Sequence, residues 1–498
     1  MGSAKKAFSG ALWSVVVNVV NAVYGFIAIP VLIGYFGRSN YGLIGLASSV
    51  NAYMQLMDMG LNSTNVRFFS AWLAKGDEKK IDKLFRTCNA VYSCVGVINT
   101  IVLVVVMFFS NSIFNVTPDQ DVVFKNLFLI LIVTALFNWG TSCYNQLIIA
   151  SENISWIQRR TLLTKLLMIC VLLATVSLKL SMTQYFLLIS IAPIIILPLT
   201  IAKIKREHAY VHFLPCFDKK TFCEILPYSL NIFSFSIFQF SFMNLRTVFL
   251  GIQGNTASVT DYNVMNGIAS LVTMVGGVFG GVLLPSSTRV VQSGDRLAFE
   301  RVAYQGTKFV SMILCFCAFG LIAIDKDLLI LYVGEDFLGL LPWLNLWLVF
   351  TIANHNQCIS SLILAGSDIR PLSYMSAFSS IVGLVTAWIS IPYLHAGGAV
   401  LAFAVYCSCQ ALFFYTYYWP RKMNINSWKV FSKSLMPFVL MGVIVSSLVQ
   451  LAPMLENHWL NMLVHGSGFA ILFAALCWIL LLNSDDKNFI QKVLKKDK

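Results

Sequence analysis

The chain has 498 residues, of which 58% are hydrophobic and only 11% are charged. Soluble domains are about one quarter charged, so this composition excludes a soluble globular protein and indicates an integral membrane protein. The formal net charge is +13. It does not indicate nucleic-acid binding, because the basic residues gather in short segments between apolar runs.

A membrane-spanning helix needs about 20 mostly apolar residues, and about fourteen such runs follow one another along the chain. They lie near 11–36, 42–72, 88–110, 122–149, 161–179, 183–202, 222–250, 262–287, 305–325, 338–365, 372–393, 397–419, 434–452 and 458–482. The longest gap, 203–221, is too short for a soluble domain. The sequence therefore predicts an all-α integral membrane protein with about 14 transmembrane helices.

The basic residues alternate between the two sides that these spans define. Four of the 35 lysines and arginines fall in segments on the outer side, namely Arg38, Lys125, Lys179 and Lys326. Arg67 and Arg246 are assigned to the spans, and the others are assigned to the opposite side. Because cytoplasmic loops carry the excess of Lys and Arg, both termini are predicted to be cytoplasmic.

Several short patterns recur about half a chain apart. "KKAF" at 5–8 returns as "KKTF" at 219–222, and "CYNQLIIASENI" at 143–154 parallels "CISSLILAGSDI" at 358–369. The matches keep their order, which favours two related six-helix halves in the same orientation, followed by two further helices. The predicted domains are a first lobe (1–204), a cytoplasmic linker (205–221), a second lobe (222–420) and a C-terminal helix pair with a basic tail (421–498).

Polar residues form stripes at helical spacing in the first two spans of each half. The stripes comprise Ser14, Asn18, Asn21 and Gly25; Asn51, Gln55, Asp58, Asn62 and Asn65; Ser229, Ser236, Gln239 and Arg246; and Asn263, Asn266, Ser270 and Thr273. Such stripes avoid lipid, because unpaired amides are costly there. They indicate a water-filled cavity, and the alternative is hydrogen bonding between packed helices.

Charged residues within a bilayer are usually functional. Arg246 and Arg67 are predicted to bind an anionic group, since the guanidinium fork matches phosphate oxygens. Asp58 is predicted to pair with an arginine or to bind a coupling ion. Arg289 and His355 are weaker candidates, for which surface contact and helix packing are the alternatives.

Motifs of soluble catalysts are missing from the sequence. It contains no G-x4-G-K-[ST] loop, no H-E-x-x-H and no G-x-S-x-G. The chain is therefore predicted not to be an enzyme and to hold no metal or organic cofactor, apart from H⁺ or Na⁺ as a coupling ion.

The arrangement of spans, with "YGLIGLASSVNAYMQLMDMGLNSTNVRFFSAWLAKGD" after the first and "LPSSTRVVQSGDRLAFERV" near the eighth, resembles the bacterial polysaccharide transporters. These are the O-antigen repeat-unit flippases of the multidrug/oligosaccharidyl-lipid/polysaccharide (MOP) superfamily, which has a MATE-like fold. The resemblance covers about residues 5–480.

The resemblance implies a flippase that moves undecaprenyl-diphosphate-linked oligosaccharides across the bacterial cytoplasmic membrane by alternating access driven by an ion gradient. Arg246 and Arg67 would hold the diphosphate. Six amide side chains would bind sugar hydroxyls, namely Asn18, Asn21, Asn51, Gln55, Gln239 and Asn266. The implied partners are the lipid-linked sugar, membrane lipids, and the polysaccharide polymerase with its chain-length machinery, but not nucleic acid. The alternatives are a MATE-like multidrug antiporter and a lipid II flippase.

Overall fold

A computed structural model describes residues 2–58, 60–365, 370–453 and 456–488, and within these ranges the chain is helical with no β-strand. In chain order the α-helices are α1 (Gly2–Phe36), α2 (Arg38–Met54), α3 (Leu61–Lys75), α4 (Glu78–Phe108), α5 (Ser110–Ile113), α6 (Pro118–Gly140), α7 (Ser142–Ala150), α8 (Ile154–Ser177), α9 (Met182–Ile195), α10 (Leu197–Glu207), α11 (Lys219–Gln253), α12 (Thr256–Ser293), α13 (Arg296–Arg301), α14 (Thr307–Ala323), α15 (Asp325–Val333), α16 (Leu341–Thr351), α17 (Gln357–Ala365), α18 (Arg370–Leu394), α19 (Ala396–Phe413), α20 (Trp419–Lys422), α21 (Ser427–Lys429), α22 (Met436–Gln450) and α23 (His458–Leu476).

Within the described residues, 11 helical segments are long and apolar enough to cross a membrane. The number is 12 if the bent helix α11 is counted as one further span. Leu129, Val133 and Phe137 lie four residues apart on one face of α6 and are exposed, as expected of a helix that contacts lipid. The all-α membrane fold is thus confirmed. The count of 14 is compatible but not established, because the predicted spans 42–72 and 262–287 are not among these 12 segments.

The helices form two compact units. Unit 1 comprises residues 1–263 and 387–396, and unit 2 comprises residues 264–386 and 397–498. Unit 1 thus contains α1 to α11 and the first turns of α12. The predicted domains (1–204, 205–221, 222–420 and 421–498) rest on the sequence duplication, which a division by contacts does not test, so they stay a prediction.

The second predicted span is broken near its middle. A 3₁₀ turn at Gln55–Asp58 follows α2, and Gly60 then begins α3 with a φ of 73°. A residue with a Cβ is disfavoured at that backbone conformation, and a Cβ on Gly60 would also lie 2.8 Å from the carbonyl oxygen of Ser229. The break places Asp58 at the end of one helix and at the start of another.

Glycines let α2 pack closely against its neighbours inside unit 1. A Cβ on Gly42 would overlap the carbonyl oxygen of Thr256, and one on Gly45 would overlap the amide of Asn263. On the facing helix α11, a Cβ on Gly251 would overlap Leu46. Small residues at helix crossings allow such close backbone approach in membranes.

The change Gly42→Ala is expected to lower the stability of the protein by about 1–3 kcal/mol, because the new methyl group meets a backbone oxygen that cannot move alone. The measurement is the thermal unfolding temperature of purified protein in detergent. Gly34→Ala is the matched control, since no atom beyond the neighbouring backbone of its own helix lies within 4 Å of a Cβ at Gly34. Equal unfolding temperatures for the two variants would contradict the close packing.

Polar contacts join the start of α2 to the start of α12 at the predicted outer side. The Arg38 guanidinium lies 2.6 Å from Asp261 Oδ1, and Ser39 Oγ lies 2.7 Å from Thr256 Oγ1. We call these four residues the outer contact. Its members come from the two halves that the duplication predicts, although all four lie in unit 1.

The segment between α10 and α11 lies along the predicted cytoplasmic end of α4. The backbone amide of His212 donates to Asp82 Oδ1 at 2.7 Å, and the amide of Cys216 donates to the carbonyl oxygen of Arg86 at 3.2 Å. The predicted linker is therefore fixed to unit 1 by backbone hydrogen bonds.

Candidate functional site

Unit 1 encloses a cavity of about 810 Å³ between α2, α3, α6, α7, α8, α9 and α11. Most of the polar residues that line this cavity have amide or cationic side chains, and we call the cavity the amide-lined cavity. The polar and charged residues that line it are Asn51, Asp58, Asn62, Ser63, Thr134, Asn138, Ser142, Asn145, Gln146, Arg160, Thr161, Thr164 and Lys165.

Two cations of α8 face this cavity, Arg160 and Lys165. The Arg160 guanidinium donates to Asn145 Oδ1, and Lys165 Nζ lies 5.1 Å from the centre of the Tyr24 ring. Neither forms an ion pair with an acidic side chain among the described residues. Lys165 lies at the midpoint of a 24-residue helix, where an unpaired charge is costly and usually has a function.

A chain of hydrogen bonds leads through unit 1 to Asp58. The Asn65 amide donates to Gln146 Oε1 at 2.8 Å, and Gln146 Nε2 donates to the Tyr92 hydroxyl at 2.8 Å. The Tyr92 hydroxyl in turn donates to Asp58 Oδ1 at 2.5 Å. The backbone amide of Asn62 donates to the other carboxylate oxygen at 3.1 Å. Every donor points toward the carboxylate, and such chains polarise one another in a low dielectric.

The cavity thus combines two separate electrostatic features. Arg160 and Lys165 supply positive charge with no acidic partner in the described residues, which suits an anionic group. Asp58 supplies one negative charge whose oxygens are held by Tyr92 and Asn62. The amide side chains that line the cavity can donate hydrogen bonds to hydroxyl groups and accept hydrogen bonds from them.

The structure places the predicted amide residues in different surroundings. Asn51 lines the amide-lined cavity, as does Asp58. Asn18, Gln239 and Asn266 are exposed and Asn21 is half-buried, and none of the four lines this cavity. Their predicted role in substrate binding stays a prediction.

Arg246 is buried, with 2% of its surface exposed. Its Nε donates to the carbonyl oxygen of Phe242 at 3.2 Å, and its guanidinium lies 4.6 Å and 5.5 Å from the rings of Phe242 and Tyr262. It does not line the amide-lined cavity. Its proposed contact with substrate stays a prediction.

The other predicted charges lie elsewhere. Arg67 is exposed and stacks on the Tyr228 ring at 4.1 Å. His355 is buried in unit 2, where its Nε2 lies 2.6 Å from the Tyr415 hydroxyl and its Nδ1 lies 2.9 Å from the carbonyl oxygen of Ile352. The side chains of Gln55 and Arg289 lie outside the described residues.

Arg160 and Lys165 are the residues that the sequence analysis missed. The sequence analysis assigned them to the cytoplasmic side, whereas α8 begins at Ile154 and the candidate span Ile154–Ser177 includes both. The available signal was Lys165 itself, which lies inside the predicted span 161–179. Gln146 and Asn145 belong to a segment that was used only as evidence for the duplication.

Solved structures share this arrangement of helices. A lipid II flippase, MurJ, in an inward closed conformation is 13% identical, with a TM-score of 0.69 over 94% of this chain and 98% of that chain. An inward-facing multidrug resistance transporter of the MATE family is 14% identical, with a TM-score of 0.60 over 86% of this chain and 95% of that chain. None of the curated proteins compared with the chain matches it. The protein therefore has the fold of the MATE-like membrane transporters.

A family model described as "Polysaccharide biosynthesis protein" matches residues 7–291, which is more than half of the chain. The chain belongs to this family of the MOP exporter superfamily. The resemblance found in the sequence is thus confirmed, and the family and its structural neighbours are transporters rather than enzymes.

Proposed function

We propose that the protein is a flippase that moves undecaprenyl-diphosphate-linked oligosaccharide repeat units across the bacterial cytoplasmic membrane. The units would serve O-antigen, capsule or exopolysaccharide synthesis. Both termini face the cytoplasm in this proposal, in agreement with the distribution of Lys and Arg.

The observation that carries the proposal is the pair of cations in the amide-lined cavity. Arg160 offers a fork of donors that matches two phosphate oxygens, and Lys165 offers a second positive charge along the same helix. The amides of Asn51, Asn138 and Asn145 are suited to sugar hydroxyls. The polyprenyl tail needs no polar path, because it can remain in the bilayer while the headgroup crosses.

The experiment uses purified protein in liposomes that contain a polyprenyl-diphosphate oligosaccharide in one leaflet. We expect the sugar to become accessible to an added lectin or glycosidase on the opposite side. A lipophilic cation is the rival substrate in the same vesicles. Transport of the cation alone would contradict the proposal.

A MATE-like multidrug antiporter is the second candidate, and Asp58 favours it, because a carboxylate in a membrane cavity can bind an organic cation. Against it stand the two cations in the same cavity, which repel such a substrate. A lipid II flippase is a further alternative that the fold allows. The liposome experiment separates the three when lipid II is included as a third substrate.

We further propose that Asp58 and its hydrogen-bond chain couple transport to a gradient of H⁺ or Na⁺. Asp58→Asn is expected to abolish the acceleration by an imposed gradient while leaving slow equilibration of the lipid-linked sugar. The measurement is the transport rate with and without each gradient. Asp119→Asn, at an exposed position in the first turn of α6, is the control. A gradient response in Asp58→Asn equal to that of the control would exclude the coupling role.

The proposed partners are membrane lipids and the enzymes that receive the flipped repeat unit. A polysaccharide polymerase and its chain-length machinery act on such units at the outer face, so a physical association with them is expected. Chemical cross-linking in cells followed by mass spectrometry would detect it.

A further inference from the structure

A second large cavity, of about 1210 Å³, lies in unit 2 and shares no lining residue with the amide-lined cavity. We call it the apolar cavity, because its lining is mostly aliphatic and aromatic. The lining comprises Val349, Phe350, Ile352, Ala353, His355, Cys407, Ser408, Ala411, Leu412, Tyr415, Thr416, Pro420, Asn424, Ile425, Asn426, Ser427, Trp428, Phe431, Leu435, Met436 and Val439. The proposed flippase activity gives it no role.

The apolar cavity follows the predicted cytoplasmic halves of three spans, which cover 335–363, 396–422 and 427–450. The part of the span 427–450 that lines the cavity runs from Ser427 to Val439, and this length corresponds to about 18 Å along the helix axis at 1.5 Å per residue. One leaflet of a bilayer contributes about 15 Å of hydrocarbon. The depth of the cavity therefore matches a single leaflet.

The walls depart from regular α-helix at this depth. Phe414–Tyr418 and Val430–Leu435 are π-helical turns, and Ile352–Asn356 is a 3₁₀ turn. Such turns weaken a helix and are frequent at functional sites. The Tyr415 hydroxyl is held by His355 Nε2 at 2.6 Å, so the ring at this wall is fixed and its polar group is satisfied. The cavity is bounded by positioned side chains.

The cavity opens where lipid would reach it. Leu412 is 64% exposed and Trp428 is 72% exposed, although both line the cavity. Trp rings prefer the level of lipid headgroups, and Trp428 lies at the predicted cytoplasmic end. The neighbouring loop is fixed by Arg296, which donates to the carbonyl oxygens of Met423 and Asn424 at 2.9 and 2.7 Å.

The charged residues of the segment 414–440 have one sign, and the nearby Glu300 is paired with Arg296. Residues 414–440 include no aspartate or glutamate but four basic residues, Arg421, Lys422, Lys429 and Lys433. All four are exposed. Lys429 Nζ lies 4.3 Å from the centre of the Tyr304 ring, which orients it beside the loop. Basic residues at this level attract anionic lipid headgroups.

We propose that the apolar cavity binds an anionic phospholipid of the cytoplasmic leaflet. One acyl chain lies along the cavity, and the phosphate is held by the basic residues around its mouth. The one-leaflet depth favours a phospholipid chain over a polyprenyl tail, which is much longer than a leaflet is thick. The site is separate from the proposed flippase site and does not depend on it.

The experiment is native mass spectrometry of the purified full-length chain, titrated in detergent with phosphatidylglycerol or phosphatidylcholine. Phosphatidylglycerol is expected to bind about tenfold more tightly, because only its headgroup is anionic. The double change Lys429→Gln with Lys433→Gln should reduce phosphatidylglycerol binding to the level of phosphatidylcholine. Lys326→Gln, on the predicted outer side, is the matched control for charge.

Ala411→Phe tests the chain-binding part, because a phenyl ring at this lining position occupies part of the cavity and obstructs an acyl chain. Binding of both phospholipids should fall, whereas Ala475→Phe, at an exposed position of α23, should leave it unchanged. If Ala411→Phe does not fold, the exposed lysine pair still decides the question. Equal binding of the two phospholipids to wild type, no effect of either set of changes, or displacement of phosphatidylglycerol by equimolar polyprenyl diphosphate would overturn the proposal.

Discussion

Arg160→Gln is expected to reduce transport of the lipid-linked oligosaccharide by about 10- to 100-fold at low substrate concentration. Hydrogen bonds to charged groups contribute about 1.5–3 kcal/mol each, and the change removes at least one from a diphosphate held in the amide-lined cavity. Glutamine keeps a polar amide group but has neither the charge nor the fork of donors, so the loss reports the charge-assisted contact with the diphosphate. The measurement is the initial transport rate in liposomes as a function of substrate concentration.

Arg159→Gln is a matched control for this prediction. Arg159 is the neighbouring residue of α8, is exposed, and lies over the Trp13 ring at 4.9 Å. It does not line the amide-lined cavity. Transport by Arg159→Gln should equal that of wild type. If the two arginine variants behave alike, the positive charge of the cavity is not what recognises the substrate.

The second large effect is expected from a cross-link at the outer contact. Ser39→Cys combined with Thr256→Cys places two thiols where the hydroxyl oxygens are 2.7 Å apart, within reach of a disulfide. If alternating access opens this contact in each cycle, oxidation should lower transport by about tenfold or more, as for other gating motions. Addition of a reductant should restore it.

Each single cysteine variant should transport normally under oxidation. A second pair, Ser287→Cys with Ser361→Cys, is the matched control, because those hydroxyl oxygens are also 2.7 Å apart but both belong to the second predicted lobe (222–420), in α12 and α17. Its cross-link should have little effect. Full transport by the oxidised Ser39→Cys, Thr256→Cys variant would show that the outer contact stays closed throughout the transport cycle.

The sequence was sufficient for the membrane class and for most spans, because hydrophobic length is a local property. The sequence also predicted a span at 42–72. The polar stripe in this segment suggested a cavity, and the same polar residues lower the mean hydropathy of the segment. The break at Gln55–Asp58 was not predicted. Gly60, which follows the break, lies against Ser229, and a contact between residues so far apart in the chain is not visible in the local sequence.

The candidate site was predicted only in part. Asp58 and Asn51 were identified by helical spacing, and both line the cavity. Arg160 was missed because a basic residue near a predicted span end is normally assigned to the loop, and only the start of α8 at Ile154 shows otherwise. Arg246 illustrates the opposite case, since a charge in a span cannot be assigned to a cavity or to a buried contact without knowing its neighbours.

The packing of α2 has a consequence for how the chain is made. Its glycine-rich face rests on α11 and on the first two turns of α12, so the first six predicted spans cannot complete unit 1 by themselves. During synthesis, this face of α2 therefore remains uncovered in the membrane until the chain as far as Asn263 has been inserted. The segment 387–396, which also belongs to unit 1, is synthesised later. A fragment that ends at the linker is therefore expected to be degraded by membrane proteases, whereas one that continues past α12 should persist.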